Sequence, residues 1–416
     1  MTVTLNHPHY ADRISAPTSK SAAHRALIAA AFADDVTRLT VRTSCEDIDA
    51  TVRCLCALGA DIKKEDGILL VTPIPKNGVR KGAILDCGES GSTLRFLVPV
   101  CGAIGADAVF LRAGRLPERP LKPLLDTLEA HGMRFCEDGP RLLSEGSLTA
   151  GDYRITANIS SQYITGLLFA LSLLDEPSRL IPVGRMESSP YIDMTVDTLS
   201  RFGATPGRKG EDFLIEGKKR LPLKTPSRLT PEGDYSGAAF LLAMGAIGSH
   251  AVTVTELSPS SLQGDAAILS LLTQFGARVS AQGDSVTVYP APLHAIDIDA
   301  TEIPDLVPIL AVIAAAARGT THITGAARLR LKESDRLAAT SAFLRTIGGD
   351  IVENEDGLTV TGGRPLTGGT VDVCGDHRIA MSAAVASLLA TDAVVIPHAE
   401  CTKKSYPSFF EDAFGR

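Results

Sequence analysis

The sequence lacks any apolar run long enough to cross a bilayer. Its longest near-apolar stretch, residues 306–317, is 12 residues long and contains Pro308, whereas a spanning helix needs about 20. It also lacks a basic excess. Forty-one Lys and Arg against 48 Asp and Glu leave a net charge of −7, which argues against binding nucleic acid through its phosphates. None of the eight cysteines forms a Cys-x-x-Cys pair and no histidines stand at zinc spacing, so no metal is expected. No GxxxxGK[ST] segment occurs and no GxGxxG follows a strand pattern. The usual nucleotide and nicotinamide cradles are thereby excluded, and no cofactor is expected. The start of the chain carries no basic stretch followed by an apolar run. Together with unpaired thiols this predicts a cytoplasmic protein.

What the sequence does have is repetition. Its 416 residues, 44% hydrophobic and 21% charged, suit a soluble globular chain of two domains. One pattern is an amphipathic helix ending in Gly, then a strand, a tight turn and another strand. The terminating glycines are Gly59, Gly132, Gly203, Gly276 and Gly348, spaced 71 to 73 residues apart. Glycine there suits the left-handed residue that closes a helix, and the Asp-Gly, Gly-Asp or Gly-Pro that follows suits a hairpin. A second pattern, interleaved with the first, is a helix apolar all round, which marks a buried helix. Its copies begin near Ser19, Gly91, Ser160, Asp234, Pro304 and Asp376. Each repeat therefore reads as strand, buried helix, strand, outer helix and two strands. The sixth outer helix is cut short between Tyr406 and Phe414. Six repeats divide into two domains of three, with the break in the proline-bearing stretch 221–231. One first strand is expected over residues 2–14.

The chemistry is concentrated at the starts of the buried helices. Lys20, Ser21 and Arg25 stand at one; Ser160, Ser161 and Gln162 at another; Asp376, His377 and Arg378 at a third. An apolar helix has little use for such residues, but a helix start offers free N–H donors and partial positive charge, which favour an anion. A loop with Arg115, Glu118 and Arg119 and a cluster of Lys332, Glu333, Asp335 and Arg336 add guanidinium groups suited to phosphate and carboxylate. Taken singly, each has a plainer reading as a cap or a surface ion pair. Their recurrence at equivalent places in an acidic protein predicts a focused positive site for a small polyanion.

These segments, in order, are SKSAAHR, GESGSTLR, ERP, SSQ, SSPYID, IPD, KESDR, DHRIAM and CTKKSYP. Along essentially the whole chain they resemble the 5-enolpyruvylshikimate-3-phosphate synthase family of enolpyruvyl transferases. The resemblance implies an α/β fold of two domains, each of three βαβαββ units in an inside-out α/β barrel, with the active site in the interdomain cleft. It places residues 17–228 in one domain and 1–16 with 229–416 in the other. It implies transfer of the enolpyruvyl group of phosphoenolpyruvate to the 5-hydroxyl of shikimate 3-phosphate, by addition and elimination through a tetrahedral intermediate. That is a step of aromatic amino-acid and chorismate biosynthesis, and the family is the target of glyphosate. The partners would be these two small anions, with no nucleic acid and no membrane, and the protein a monomer.

Carried over residue by residue, Lys20, Ser21, Arg25, Ser160, Ser161, Gln162, Ser188, Tyr191, Asp305 and Lys332 match the shikimate 3-phosphate contacts. Lys20, Gly91, Arg119, Gln162, Arg336, Arg378 and Lys404 match the phosphoenolpyruvate contacts. Asp305 and Glu333 match the proton-transfer groups, with Lys20 able to share the donor role. Glu333 lies between Lys332 and Arg336, cations that favour its ionised form and oppose donation. Thr18, His24, Glu89, Ser90, Phe96 and Arg328 depart from the family's motifs.

Three rivals stand against this reading. The transferase acting on UDP-N-acetylglucosamine carries a reactive Cys in the loop that here reads GRLPERPL. A relative of RNA 3′-phosphate cyclases would need a nucleotide site and a nucleophilic His. A non-catalytic anion binder would gain nothing from Asp305 and Glu333.

Overall fold

The structure, a computed structural model, describes residues 1–75, 78–220, 222–227 and 229–416. The chain forms two units. A central unit spans Lys20–Pro231, and a terminal unit joins Met1–Ser19 to Glu232–Arg416. Each crossing falls three residues beyond the expected positions after residues 16 and 228. Leu221 and Arg228 of the expected linker lie outside the described residues.

Each unit has its helices inside and its sheets outside. In the central unit the inner helices are Lys20–Ala31, Gly91–Ile104 and Ser161–Ser172. In the terminal unit they are Tyr235–Ile247, Val307–Ala316 and His377–Ala386. Their apolar circumference is what buries them; Tyr235–Ile247 is buried along its whole length up to Ala246. Small residues set how closely such helices approach. A Cβ at Gly166 would stand 2.3 Å from the Arg95 carbonyl oxygen, so only glycine allows the Ser161 helix to lie against the Gly91 helix. The outer helices Glu46–Leu58, Lys122–Glu129, Ser189–Arg201, Ile268–Phe275 and Arg336–Thr346 are followed within three residues by the five repeat glycines. All five glycines have positive φ, from 82° to 121°, as the helix-ending motif requires.

Four sheets share one four-stranded order, in which a first strand runs parallel to a second and a hairpin follows antiparallel. Among the described residues the other two sheets have three strands, and none of the six closes into a barrel. The expected single first strand over residues 2–14 is instead two strands in two sheets. Val3–Leu5 pairs antiparallel with Val394–Ile396 and completes the sixth repeat. Arg13–Ser15 pairs parallel with Val252–Thr255 and serves as first strand of the fourth repeat. Among the described residues, the strand just before the first repeat's buried helix, Arg13–Ser15, does not join that repeat's own sheet. That sheet's strand Thr37–Thr40 receives a parallel bridge from Leu229 instead. Parallel neighbours need not be consecutive in sequence, so local pattern could not assign these edges.

Candidate active site

The expected site residues fall into two groups, one on each unit. In the terminal unit, sequence-distant turns converge. Asp305 lies in the 3₁₀ turn Pro304–Leu306 that leads into the helix Val307–Ala316. Arg336 opens the helix capped by Asp335, and Asp376 caps the helix His377–Ala386. Arg336 is the hub. It donates from Nη1 to Asp305 Oδ1 at 2.7 Å, from Nη2 to Glu333 Oε2 at 2.7 Å and from Nε to Asp376 Oδ2 at 2.8 Å. Asp305 also accepts from Arg378 Nη2 at 3.2 Å and lies 3.7 Å from Lys332 Nζ. Lys404 Nζ lies 3.8 Å from Glu333 Oε1. Lys332, Glu333, Arg336, Arg378, Lys404 and Asp305 are thus one cluster.

Burial acts to raise the proton affinity of Asp305, but Arg378, Lys332 and Arg336 outweigh it and hold the carboxyl well below the usual range. Burial likewise works against the charge on Arg336, and Asp376, Glu333 and Asp305 more than compensate. Asp265, in the 3₁₀ turn Gly264–Ala267, is a further buried acid. Its Oδ2 accepts from the Ser236 hydroxyl and its Oδ1 has no hydrogen-bond partner. Burial and the neighbouring Asp305 push it up to about 7.

In the central unit Arg25 meets hydroxyls and carbonyls, whereas Lys20 meets a carboxylate. Arg25 is buried. It donates to Thr195 Oγ1 at 2.9 Å, to the Ser21 carbonyl at 2.7 Å, to Thr165 Oγ1 at 3.3 Å and to the Tyr191 carbonyl at 2.7 Å. Burial lowers its proton affinity, to about 10. Lys20 Nζ donates to Asp47 Oδ2 at 2.8 Å, from the first residue of its helix. Ser160 caps the Ser161 helix and Gln162 Nε2 donates to Ser92 Oγ at 3.0 Å, which joins the Ser160–Gln162 segment to the start of the Gly91 helix. Arg119 is at that start too. A Cβ at Gly91 would stand 3.0 Å from Arg119 Nη1 and 2.8 Å from Arg95 Nη1. Ser188 has left-handed backbone, with φ 56°, and its side chain does not cap the helix it precedes. Arg115 pairs with Glu118 at 3.5 Å on the exposed side of its loop.

Three residues escaped the sequence reading. Arg95 ends the GESGSTLR motif one helical turn from Gly91 and was available to it. Asp47 and Asp265 were not, because nothing local marks which acid will meet Lys20 or lie beside Asp305.

A family model described as EPSP synthase (3-phosphoshikimate 1-carboxyvinyltransferase) matches residues 9–413. The chain is similar to the 3-phosphoshikimate 1-carboxyvinyltransferase of Clostridium kluyveri, 39% identical over 413 residues, covering 99% of this chain and 96% of that protein. It is also similar to that of Clostridium perfringens, 41% identical over 405 residues, covering 96% and 94%. An EPSP synthase structure from Acinetobacter baumannii superposes with a TM-score of 0.81 at 24% identity, covering 99% of this chain and 98% of that one, which speaks for the two-domain α/β fold. With a family match over nearly its whole length and relatives near 40% identity, this chain belongs to the EPSP synthase family.

Proposed function

We propose that the protein transfers the enolpyruvyl group of phosphoenolpyruvate to the 5-hydroxyl of shikimate 3-phosphate and releases phosphate. One observation carries the catalytic part of this reading: Asp305 stands 2.7 Å from Arg336 and 3.2 Å from Arg378. A pure anion binder would be weakened by a carboxylate among its cations. A transferase needs one there to take the hydroxyl proton.

The reaction asks for two opposed proton transfers. The 5-oxygen bonds to C2 of phosphoenolpyruvate as its proton leaves to Asp305, and C3 gains a proton to become a methyl group. The C2–O bond to phosphate then breaks while C3 gives up a proton, restoring the double bond, so each group reverses its role. We assign the C3 donor to Glu333, with Lys20 as the alternative. Glu333 faces Arg336 and Lys404, which favour its ionised form and oppose donation. Asp305 faces the matching difficulty, since a base works best when its proton affinity lies near the operating pH. Substrate binding eases both. The phosphate and carboxylate of phosphoenolpyruvate compete for Arg336, Arg378 and Lys404, and their hold on the two carboxyls weakens as the reacting carbon arrives.

Arg25, with Lys20, Ser21, Ser160, Ser161, Gln162, Ser188, Tyr191 and Lys332, is assigned to shikimate 3-phosphate. Gly91, Arg119, Arg336, Arg378 and Lys404 are assigned to phosphoenolpyruvate, with Lys20 and Gln162 near both. Among the described residues no helix is long and apolar enough to cross a membrane, and we read a cytoplasmic monomer. The UDP-N-acetylglucosamine reading is disfavoured by the family match and by a loop 114–121 without cysteine. Incubation with phosphoenolpyruvate and either acceptor, following released phosphate, tests the proposal. Phosphate should appear with shikimate 3-phosphate only; no release with it, or release with UDP-N-acetylglucosamine, would refute the assignment.

A further inference from the structure

Behind the start of the Gly91 helix lies a chain of polar side chains that the reaction does not use. His24 Nδ1 is 2.7 Å from Thr51 Oγ1, Thr51 Oγ1 is 2.7 Å from Thr93 Oγ1, and Thr93 Oγ1 is 2.7 Å from Ser90 Oγ. Ser90 Oγ also accepts from the Thr93 backbone N–H at 3.3 Å, which makes it the cap of the Gly91 helix. All four residues are buried. The links join three elements: the Lys20 helix through His24, the Glu46 helix through Thr51, and the Gly91 helix through Thr93 and its cap. Those same elements carry Lys20 and Arg25, Asp47, and Gly91.

The chain has one direction. Burial lowers His24 to about 3, so its ring is neutral and holds a single proton. Nε2 is buried with no partner. An orphaned N–H is rarer than an orphaned acceptor, so the hydrogen-bond pattern assigns the proton to Nδ1. His24 then donates to Thr51, Thr51 to Thr93 and Thr93 to Ser90. Bonds of this length away from water reinforce one another. The Phe96 ring adds a second tie: it meets His24 edge-on at 6.4 Å and lies 5.4 Å below the Arg25 guanidinium. His24, Ser90 and Phe96 are thus tied into one cluster.

We infer that the chain His24–Thr51–Thr93–Ser90 is a positioning device that holds the amino end of the Gly91 helix, and with it the proposed phosphoenolpyruvate contacts at Gly91 and Arg119, in register with the Lys20 helix. The tolerance at that end is small, because even a Cβ added at Gly91 would stand 2.8 Å from Arg95 Nη1 and 3.0 Å from Arg119 Nη1. A slight drift of the helix start changes where an anion sits between its N–H groups and those cations.

The test is steady-state kinetics on the full chain, varying phosphoenolpyruvate and shikimate 3-phosphate separately. Thr93→Val keeps the side-chain shape and removes the link. It should raise KM for phosphoenolpyruvate roughly tenfold, below the roughly hundredfold that a 1 Å misplacement can cost, and leave KM for shikimate 3-phosphate unchanged. Thr93→Ser should restore wild-type behaviour. Thr51→Val breaks the chain one link earlier and carries the same expectation if Thr93→Val is unstable. The double variant should be no worse than the worse single one, as for groups acting as a unit. Equal rises in both KM values, no rescue by Thr93→Ser, or failure of both single valine variants to fold would overturn the inference. It rests on the proposed reaction: wild-type protein that releases no phosphate defeats that reading and this one together. An active wild type whose KM values ignore Thr93 defeats this one alone.

Discussion

Arg25 of the central unit and Arg336 of the terminal unit are both buried guanidinium groups, yet their surroundings differ in kind. Arg25 donates only to hydroxyls and carbonyls, and burial lowers its proton affinity to about 10. Arg336 donates to Asp305, Glu333 and Asp376, which raise its proton affinity despite burial. A buried charge without a counter-charge is costly, so an anion arriving at Arg25 would be stabilised there. The terminal unit already holds its anions, and a substrate must compete for the cations. One buried guanidinium thus lies among neutral acceptors and the other among carboxylates.

The largest effect expected from this contrast is on turnover. Asp305→Ala should lower kcat by roughly 10²- to 10⁴-fold, the usual loss for a general base, with shikimate 3-phosphate still bound. Glu333→Ala should lose at least the lower figure and reduce solvent deuterium exchange into the phosphoenolpyruvate methylene. If Glu333→Ala keeps near-normal turnover and exchange, the donor is Lys20.

Stability should separate the two arginines. Arg336→Met strands three carboxylates together and should cost about 3–5 kcal/mol, the usual loss on breaking a buried ion pair. Arg25→Met removes an uncompensated charge and should cost less, while weakening shikimate 3-phosphate binding. Denaturant midpoints and ligand titration on both variants check this; equal stability losses would erase the distinction.

Asp265 offers a pH-dependent test within the terminal unit. Its affinity is raised in the folded state to about 7, against about 3.9 unfolded. Its contribution is therefore fully present below about pH 4 and lost as pH rises through 7. Asp265→Asn should match wild type near pH 4 and gain up to about 4 kcal/mol relative to it above pH 7. A stability difference constant from pH 4 to 8 would show that Asp265 is not held protonated.

The smallest effect concerns Gly91 in the central unit. Glyphosate should inhibit in competition with phosphoenolpyruvate. Gly91→Ala, whose methyl group would meet Arg95 and Arg119, should weaken both ligands by on the order of tenfold. Unchanged inhibition in that variant would place the inhibitor elsewhere.

Much of this molecule was written locally. The helix-ending glycines, the all-apolar inner helices and the polar residues at their starts are short-range patterns, because helix and strand periods and turn conformations act over a few residues. They were enough to count six repeats and to single out Arg25 and Arg336, whereas Asp305 and the role given to Gly91 came from the family resemblance. Other features depend on distances between residues far apart in sequence. Only folding sent residues 13–15 to the fourth repeat and Leu229 to the first. It also chose which charges meet: Lys20 with Asp47, Arg336 with three acids from separate turns, and Asp265 beside Asp305. Coulomb energy and desolvation depend on separation and burial. The sequence by itself determined which groups were available at the helix starts, and tertiary structure decided which of them meet carboxylates and which meet hydroxyls and carbonyls.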